Sequence, residues 1–333
     1  MAPMTPGGGA RRAVYVCGVA AVGAAAFAAV AHVVGPESNA LIILASFVPL
    51  LLVVGIVGLV ALACVRAWRT LAVGVVVVLA GASMQAPLYV RDAPDVAARD
   101  NEIRVLQANI RLGEADTGAL VELVRSRDVD VLTVEELTDS AVIRLRDSGL
   151  DDLLPETYLV PHGSGGGGTG IYSRFPLRDP GRLGDFSMAN LVTTLEVGGG
   201  RTVTLAAVHP MPPYPSPSWM WAAEVEKLRD LLHERAADGD PVVVSGDFNS
   251  TFSHSRYRDL LTDGFVDAGE QAGAGLVPTY PADRWYPPVI AIDRVVLKNA
   301  VVGEYARVDL PGSDHYGIFA TVTPQFTQAE EAQ

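Results

Sequence analysis

Pro241-Val242-Val243-Val244-Ser245-Gly246-Asp247-Phe248-Asn249-Ser250 is the stretch of this sequence that decides the fold. A short run of β-branched residues, bounded by Asp-Gly-Asp before it and Asp-Phe-Asn after it, predicts a buried strand. The strand would deliver an acid, Asp247, and an amide, Asn249, at its carboxyl end. Asx residues just beyond a strand suit a sharp turn whose side chains point into a cleft. Taken alone, the stretch is equally consistent with a plain Asx turn and with a functional site.

Polar residues follow other apolar runs of the chain in the same way. They are Asn109, Glu136, His209, Asp293 and the pair Asp314-His315. A carboxylate or imidazole at the end of a buried strand lowers stability unless it is paired, bound to a metal or facing a cleft. The recurrence therefore predicts one site assembled from several strand ends. Glu135 is left out of the set, because neighbouring side chains of a strand point to opposite faces.

The rest of this region mixes short apolar strands with amphipathic helices. Helices are expected over residues 117–127, 139–148 and 218–237, and about eight strands are expected in all. The runs 191–197 and 202–208, joined by three glycines, predict an antiparallel hairpin. Helices inserted between other strands favour an α/β sandwich over a doubly wound parallel sheet.

These motifs resemble those of the endonuclease/exonuclease/phosphatase superfamily, which has the DNase I-like fold. The resemblance spans about residues 101–323 and depends on several motifs in order. They are Gln107-Ala108-Asn109-Ile110, Val134-Glu135-Glu136-Leu137, Ala207-Val208-His209-Pro210, Gly246-Asp247-Phe248-Asn249, Ile292-Asp293-Arg294-Val295 and Ser313-Asp314-His315. Gly170-Ile171-Tyr172-Ser173-Arg174-Phe175-Pro176 also looks like that family's Ser-Arg-x-Pro strand.

The resemblance implies four stacked layers, helix, sheet, sheet and helix, with the site across the sheet edges. It also implies a Mg²⁺ or Mn²⁺ ion, which prefers oxygen ligands and keeps bound waters. Glu136 is the best candidate ligand, with help from Asn109 and Asp314.

Catalytic roles follow from the same resemblance. Asp247 would orient and deprotonate the attacking water, and Asn249 would hold that water or a phosphate oxygen. His315, oriented by Asp293, would neutralise or protonate the phosphoryl group. His209 would donate to a phosphate oxygen or to the leaving group. Arg174 would either contact phosphate or form a structural ion pair.

The first 90 residues have a different composition from the rest. The whole chain is 49% hydrophobic, with a mean hydropathy of +0.27, so a membrane portion is expected. Three apolar segments, about 13–34, 40–65 and 70–89, are each long enough to cross a bilayer. A cleaved signal peptide is the alternative for the first segment, but that segment is long, lacks a clear cleavage site and precedes two further spans.

The expected organisation follows from these segments. A tail (1–12) precedes a three-helix anchor (13–90), a linker (91–101), a catalytic domain (102–323) and a polar tail (324–333). Basic residues flank the first span and the turn between the second and third, and the acid Glu37 lies in the other turn. The positive-inside rule then predicts a cytoplasmic N-terminus and an extracytoplasmic catalytic domain at the plasma membrane.

Charge narrows the class of substrate. Residues 91–333 hold 21 of the 25 basic and 37 of the 38 acidic residues, a formal net charge of −16. Such a domain has no basic surface for long nucleic acid, although a divalent cation would offset some of the field. Both cysteines lie in the apolar region, and no protein partner is implied.

The leading hypothesis is a membrane-anchored, divalent-metal-dependent phosphohydrolase acting on small or lipid-linked phosphoesters. With three preceding spans, the chain also resembles the membrane-anchored actinobacterial branch that includes VanJ-like proteins. One alternative is a metal-dependent nuclease. An alternative from another class is a catalytically silent binder of envelope phosphates, which the intact set of acids, amides and histidines disfavours.

Overall fold

The computed structural model describes residues 8–35, 38–93, 101–236 and 239–326. Within the chain, two compact units are separable: residues 1–87 with 253–255, and residues 88–252 with 256–333. Parts of the expected tail (1–7), linker (94–100) and polar tail (327–333), together with Glu37, lie outside the described residues.

The first unit consists of apolar helices. These are α1 (Gly8–Val34), α2 (Asn39–Ala45), α3 (Val48–Cys64) and α4 (Trp68–Gln85), followed by the 3₁₀ turn Ala86–Tyr89. The first and the last are long and apolar enough to cross a membrane. The expected second span is broken instead, because α2 and α3 meet at an angle of 69°. Pro49 lies in the first turn of α3, and proline starts a helix more readily than it continues one. The described residues therefore contain two helices long and apolar enough to be spans, or three if the bent pair counts as one.

Small residues hold these helices together. A side-chain carbon at Gly55 would lie 2.6 Å from the Cβ of Ala25, and one at Gly58 would lie 2.7 Å from that of Ala21. Glycine thus permits the close approach of α3 to α1, which is the usual basis of helix packing in a bilayer.

The second unit contains two six-stranded sheets. In spatial order, the first comprises β11 (Ala300–Val308), β12 (Gly317–Pro324), β1 (Ile103–Asn109), β2 (Val131–Glu135), β4 (Thr169–Ser173) and β3 (Glu156–Val160). The second comprises β5 (Leu177–Arg182), β6 (Leu191–Gly198), β7 (Arg201–Val208), β8 (Val242–Asp247), β10 (Asp293–Lys298) and β9 (Val266–Asp267).

One parallel pair lies at the centre of each sheet. Strands β1 and β2 are parallel in the first sheet, and β7 and β8 are parallel in the second. Each pair has a crossover helix, α5 (Thr117–Ser126) or α7 (Ser218–Arg235). The other described pairings are antiparallel, including the expected β6–β7 hairpin. Each parallel pair presents two strand ends at the same edge of its sheet.

Three apolar clusters define the layers. The first lies between the sheets and includes Val105, Val131, Val243 and Val295. A second joins the first sheet to α5 and to α6 (Asp139–Asp147). A third joins the second sheet to α7 and to α8 (Ser255–Leu260). A last short helix, α9 (Ala268–Gln271), follows β9. The expected two-sheet α/β sandwich is confirmed.

The number of strands differs from the expected eight, since the described residues form twelve. The strands without a matching expectation are β3, β5, β9 and β11, which are the four edge strands. An edge strand is less buried than a central one and so lacks a continuous apolar run.

Candidate active site

Both parallel strand pairs end at one place. Asn109 is the last residue of β1 and Asp247 the last of β8, while Glu136 and His209 directly follow β2 and β7. Two further segments reach the same place, since Asp293 is paired in register with Asp247 and His315 lies just before β12, the antiparallel neighbour of β1. The active-site cluster is defined here as Asn109, Glu136, His209, Asp247, Asn249, Asp293, Asp314 and His315.

Asn109 links the two sheets within this cluster. Its amide nitrogen donates to Glu136 Oε1 at 3.2 Å and to Asp247 Oδ2 at 3.1 Å. Its amide oxygen accepts the backbone N–H of Arg111 at 3.0 Å. Asn109 thus bridges two carboxylates, and its expected role as a metal ligand stays a prediction.

Glu136 reaches the cluster because the chain leaves the strand conformation there. Its φ of +57° lies in the left-handed region, which re-aims its side chain away from the alternation of β2. One carboxylate oxygen then accepts the Leu112 backbone N–H at 2.7 Å.

Asp247 is held by both the strand and the turn that the sequence indicates. A side-chain carbon at Gly246 would lie only 1.9 Å from the Val208 carbonyl oxygen, so the strand end requires glycine. Asp247 Oδ1 accepts the Asn249 backbone N–H at 2.8 Å, which is an Asx turn. Asn249 has φ +48°, and its side-chain nitrogen donates to Pro210 O at 3.0 Å. The turn fixes the carboxylate that it follows.

The two histidines approach the same oxygen of Asp247. His209 Nε2 lies 3.8 Å from Asp247 Oδ2, and His315 Nε2 lies 3.9 Å from it. His315 Nδ1 donates to Asp293 Oδ2 at 2.8 Å, which leaves Nε2 directed into the cluster. The backbone N–H of His209 donates to Asn190 Oδ1 at 2.8 Å.

Burial and mutual proximity shift the ionisation of the cluster. Burial, and then the charge of Asp293, raise the pKa of Asp247 against the opposing effect of the two histidines. Burial alone would lower the pKa of His315, but the attraction and hydrogen bond of Asp293, with further attraction from Asp247, raise it to about 10. His315 is therefore a cation at neutral pH, and Asp247 is a stronger base than an exposed aspartate.

The donor set fits a divalent cation. Burial raises the pKa of Asp314, and among the charges around it Glu136 acts in the same direction, so these two half-buried carboxylates repel each other. Ligating atoms of Asp247, Asp293 and His315 also lie within 4.8 Å of one another. In that second group, however, Asp293 and His315 already bond to each other. Mg²⁺ prefers carboxylate oxygens, and Glu136 and Asp314 are half-buried carboxylates close enough to repel each other, so they are a second candidate pair for the ion.

Arg174 does not join the cluster. It follows β4, which runs antiparallel to β2 and places Ser173 opposite Val131, at the far end of the sheet from Glu136. Its guanidinium bonds Asp130 Oδ1 at 2.8 Å and Asp128 Oδ1 at 2.9 Å. Of the two roles that the sequence left open for Arg174, the structure places it in the ion pair.

Two buried residues beside the cluster are missing from the expected set. Gln107 and Glu135 are fully buried, and Gln107 Nε2 donates to Glu135 Oε2 at 2.7 Å and to Asp293 Oδ1 at 2.8 Å. Burial is the largest cause of a pKa for Glu135 well above its usual value. Strand alternation correctly turns Glu135 away from Glu136, but the face it reaches is the interior between the sheets.

Two loops with exposed aromatic rings adjoin the cluster. The loop 211–217 follows His209 and Pro210. Tyr214 in this loop and Trp219 at the start of α7 are exposed. The loop 282–288 is joined to the cluster by the Ala282 backbone N–H, which donates to Asp314 O at 2.7 Å. Trp285 in this loop is 95% exposed.

The sequence from residue 106 to residue 315 matches the model of the Endonuclease/Exonuclease/phosphatase family. This match covers well over half of the chain and includes every residue of the cluster. The chain belongs to the endonuclease/exonuclease/phosphatase family. Members of this family are generally metal-dependent hydrolases, namely nucleases, phosphatases and phosphodiesterases.

Solved structures of endonuclease/exonuclease/phosphatase proteins share the fold. Zebrafish (D. rerio) TDP2 complexed with single strand DNA product is 18% identical, with a TM-score of 0.56 over 67% of this chain and 99% of that one. An Enterococcus faecalis protein of unknown function is 16% identical, with a TM-score of 0.52 over 67% and 100%. A Bacteroides vulgatus family member is 16% identical, with a TM-score of 0.52 over 67% and 99%. No curated protein sequence matches this chain.

Proposed function

We propose that this protein is a membrane-anchored, divalent-metal-dependent phosphohydrolase whose catalytic domain is extracytoplasmic. The observation that carries the proposal is the convergence of a buried acid, a cationic imidazole and two half-buried carboxylates at one edge of the sandwich. Asp247, His315, Glu136 and Asp314 supply them. A base, a cation and a metal-binding pair are the groups that phosphoryl transfer requires.

The residues of the cluster divide the chemistry between them. Asp247 accepts a proton from the attacking water as the water oxygen bonds to phosphorus and the bond from phosphorus to the leaving oxygen breaks. Its other oxygen is held by the Asn249 N–H, so the accepting oxygen keeps its direction. His315 stabilises the negative charge on the phosphoryl oxygens, because Asp293 keeps the imidazole charged and oriented. His209 donates to the leaving oxygen or to a phosphoryl oxygen.

Glu136 and Asp314 would hold the Mg²⁺ or Mn²⁺ ion. When bound, the ion would neutralise charge on the phosphoryl group as a Lewis acid. Asn109 contributes by keeping Glu136 in place while it donates to Asp247.

A small or lipid-linked phosphoester fits the substrate side better than polymeric DNA. The region after residue 90 has a net charge of −16, which repels a polyanion. Exposed rings at Trp285, Trp219 and Tyr214 suit a sugar, a base or a lipid headgroup. Nuclease activity is the second candidate, and the TDP2 complex with single strand DNA product supports it. The proposal also places the protein in the membrane-anchored actinobacterial branch that includes VanJ-like proteins.

The membrane placement supports a lipid-borne substrate. In this proposal α1, α4 and the bent pair α2–α3 count as three spans. The basic residues Arg11, Arg12, Arg66 and Arg69 then share the cytoplasmic side, and the catalytic domain lies outside. Protease treatment of intact cells tests this arrangement, since the catalytic domain should be cleaved from outside. Full protection of the domain from the protease would show that the domain lies on the cytoplasmic side instead.

The test of activity uses the full-length protein in detergent, with Mg²⁺ or with EDTA. Wild type, Asp247→Ala and His315→Ala are compared on a phosphodiester, a lipid diphosphate and plasmid DNA. We expect hydrolysis of one of the first two by wild type, loss in both variants and loss with EDTA. Equal behaviour of all three proteins on every substrate would exclude the proposed hydrolytic activity. Cleavage of plasmid DNA alone would favour the nuclease.

A further inference from the structure

A second layer of buried polar side chains lies between the sheets, one step inward from the cluster. Because side chains alternate along a strand, residues two positions before Asn109 and Asp247 share their face. These positions are Gln107 and Ser245, and one further step inward the same faces are apolar. The layer comprises Gln107, Thr133, Glu135 and Ser245, all fully buried. Burying polar groups lowers stability unless they are bonded, so a polar layer at this depth calls for a role.

Gln107 makes the contacts that link this layer to the cluster. An amide nitrogen has two hydrogens to donate, and Gln107 uses them on Glu135 Oε2 at 2.7 Å and Asp293 Oδ1 at 2.8 Å. The two acceptors lie in different sheets, on β2 and β10. Gln107 thus joins the sheets through one amide group.

Asp293 is consequently bonded at both oxygens. Gln107 holds Oδ1, and His315 Nδ1 donates to Oδ2 at 2.8 Å. A carboxylate with one bond can rotate about the Cβ–Cγ bond, whereas a carboxylate with two bonds is fixed in its plane. The direction of the His315 ring therefore depends on Gln107, through Asp293.

We propose that Gln107 is a positioning residue for His315 and that Glu135 holds the Gln107 amide in the orientation this requires. The inference rests on the proposed function, in which His315 contacts the phosphoryl group. Without the Gln107 amide, Asp293 Oδ1 loses its donor, and both carboxylate oxygens compete for the imidazole N–H. His315 then loses its fixed direction toward Asp247 while keeping its place in the chain.

The test compares Gln107→Met with a matched control in the same layer. Methionine has about the length of glutamine but donates no hydrogen bond. The control is Thr133→Val, which removes the hydroxyl bonded to Ser245 Oγ at 2.8 Å and leaves Asp293 untouched. Both variants replace a fully buried polar group by an apolar one, so they share any general loss of stability.

Two readouts are measured on the full-length protein in detergent. The first is kcat and KM for the phosphoester that wild type hydrolyses. The second is the ¹H resonance of the His315 Nδ1–H in ¹⁵N-histidine-labelled protein, assigned by its loss in His315→Gln. Gln107→Met should lower kcat about 10–100-fold, as removal of outer partners of site residues does, with little change in KM. It should also shift or broaden the resonance, whereas Thr133→Val should do neither.

The outcomes separate this inference from the proposed function. An unchanged kcat and an unchanged His315 resonance in Gln107→Met would overturn the positioning role. Equal losses of kcat in Thr133→Val would show a general effect of the layer and overturn it as well. If wild type hydrolyses no phosphoester, the proposed function fails, but the resonance still decides whether Gln107 orients His315. Should Gln107→Met not fold, Gln107→Asn replaces it, because its shorter amide cannot reach both carboxyl groups.

Discussion

Replacing Asp247 by asparagine should change activity and stability in different directions. The side chain is 2% exposed, and asparagine has the same shape. Its oxygen can still accept the Asn249 N–H that Asp247 accepts at 2.8 Å. What is lost is the negative charge, the base, and the acceptor for Asn109, whose amide nitrogen lies 3.1 Å from Oδ2.

The loss of the base sets the size of the effect on activity. A positioned general base contributes about 10²–10⁴-fold to kcat, which corresponds to about 2.7–5.4 kcal/mol of transition-state stabilisation. The hydrogen bond from Asn109 adds to the loss only in so far as it orients the carboxylate. We therefore expect kcat to fall within that range while KM changes little, since the metal-binding pair Glu136 and Asp314 remains.

Stability should respond to the same change in the opposite sense. Burial, and then the charge of Asp293, raise the pKa of Asp247 above the usual value of an aspartate. A carboxyl whose pKa is raised on folding destabilises the native state once the pH exceeds the unfolded value. Asparagine removes that penalty at neutral pH, and the lost hydrogen bond offsets about 0.5–1.5 kcal/mol of the gain. The unfolding temperature of Asp247→Asn in EDTA should equal or exceed that of wild type.

The assay pairs initial rates with thermal unfolding on the same full-length preparation in detergent. Rates are measured on the phosphoester that wild type cleaves at saturating Mg²⁺, and unfolding is followed by tryptophan fluorescence in EDTA. Asp152→Asn is the matched control, because it makes the same change in charge at an exposed position. A fall in kcat that is accompanied by an equal loss of folded protein would refute the assignment, and so would an unchanged kcat.

Three further predictions test other parts of the site and fold. Glu136→Gln should raise the Mg²⁺ concentration for half-maximal activity by about 10-fold or more, as measured by metal titration. An unchanged titration would show that Glu136 is not a metal ligand. Arg174→Ala should lower the free energy of unfolding by only about 1–2 kcal/mol, because Asp130 keeps its second partner, Arg104. The same variant should leave kcat unchanged, and a loss of kcat in folded protein would show that Arg174 belongs to the active site. Burial raises the pKa of Glu135 well above the usual value of a glutamate, so wild type loses stability as the pH rises above the unfolded pKa. Glu135→Gln should therefore be more stable than wild type at pH 8 and not at pH 4, as measured by thermal unfolding, and an equal difference in stability at both pH values would contradict the assignment.

The central strands were predictable because each combines an apolar run with a polar end. The run Val242–Ser245 before Asp247 is an example, since β8 is covered on both faces. Edge strands carry no such signal. Strand β5 contains Pro180 and Gly181, and β11 contains Gly303 and Glu304, each with a break in its pairing register. Their residues face solvent on one side or interrupt the ladder, so periodicity does not reveal them.

Within the site, strand ends were predictable, and what lies between the sheets was not. Alternation along β2 places Glu135 on the face opposite Val134, but it does not show that this face is a buried polar layer. It also does not show that the left-handed backbone at Glu136 turns that residue into the cluster. Contact between Gln107 and Asp293 joins residues 186 positions apart, which no local pattern reports. The placement of Arg174 likewise depends on the direction of β4, which is a property of the sheet.

The pairing of β1 with β12 has a consequence for synthesis of the protein. The first strand of the sandwich finds one of its two neighbours only when the last strand has left the ribosome. His315 and Asp314 lie directly before that last strand, so a nascent or prematurely ended chain lacks both the imidazole and the cover for β1. A chain without these residues lacks the imidazole on which the proposed function depends, and its exposed strand edge is open to chaperones and proteases. The proposed activity therefore requires synthesis to have passed β12.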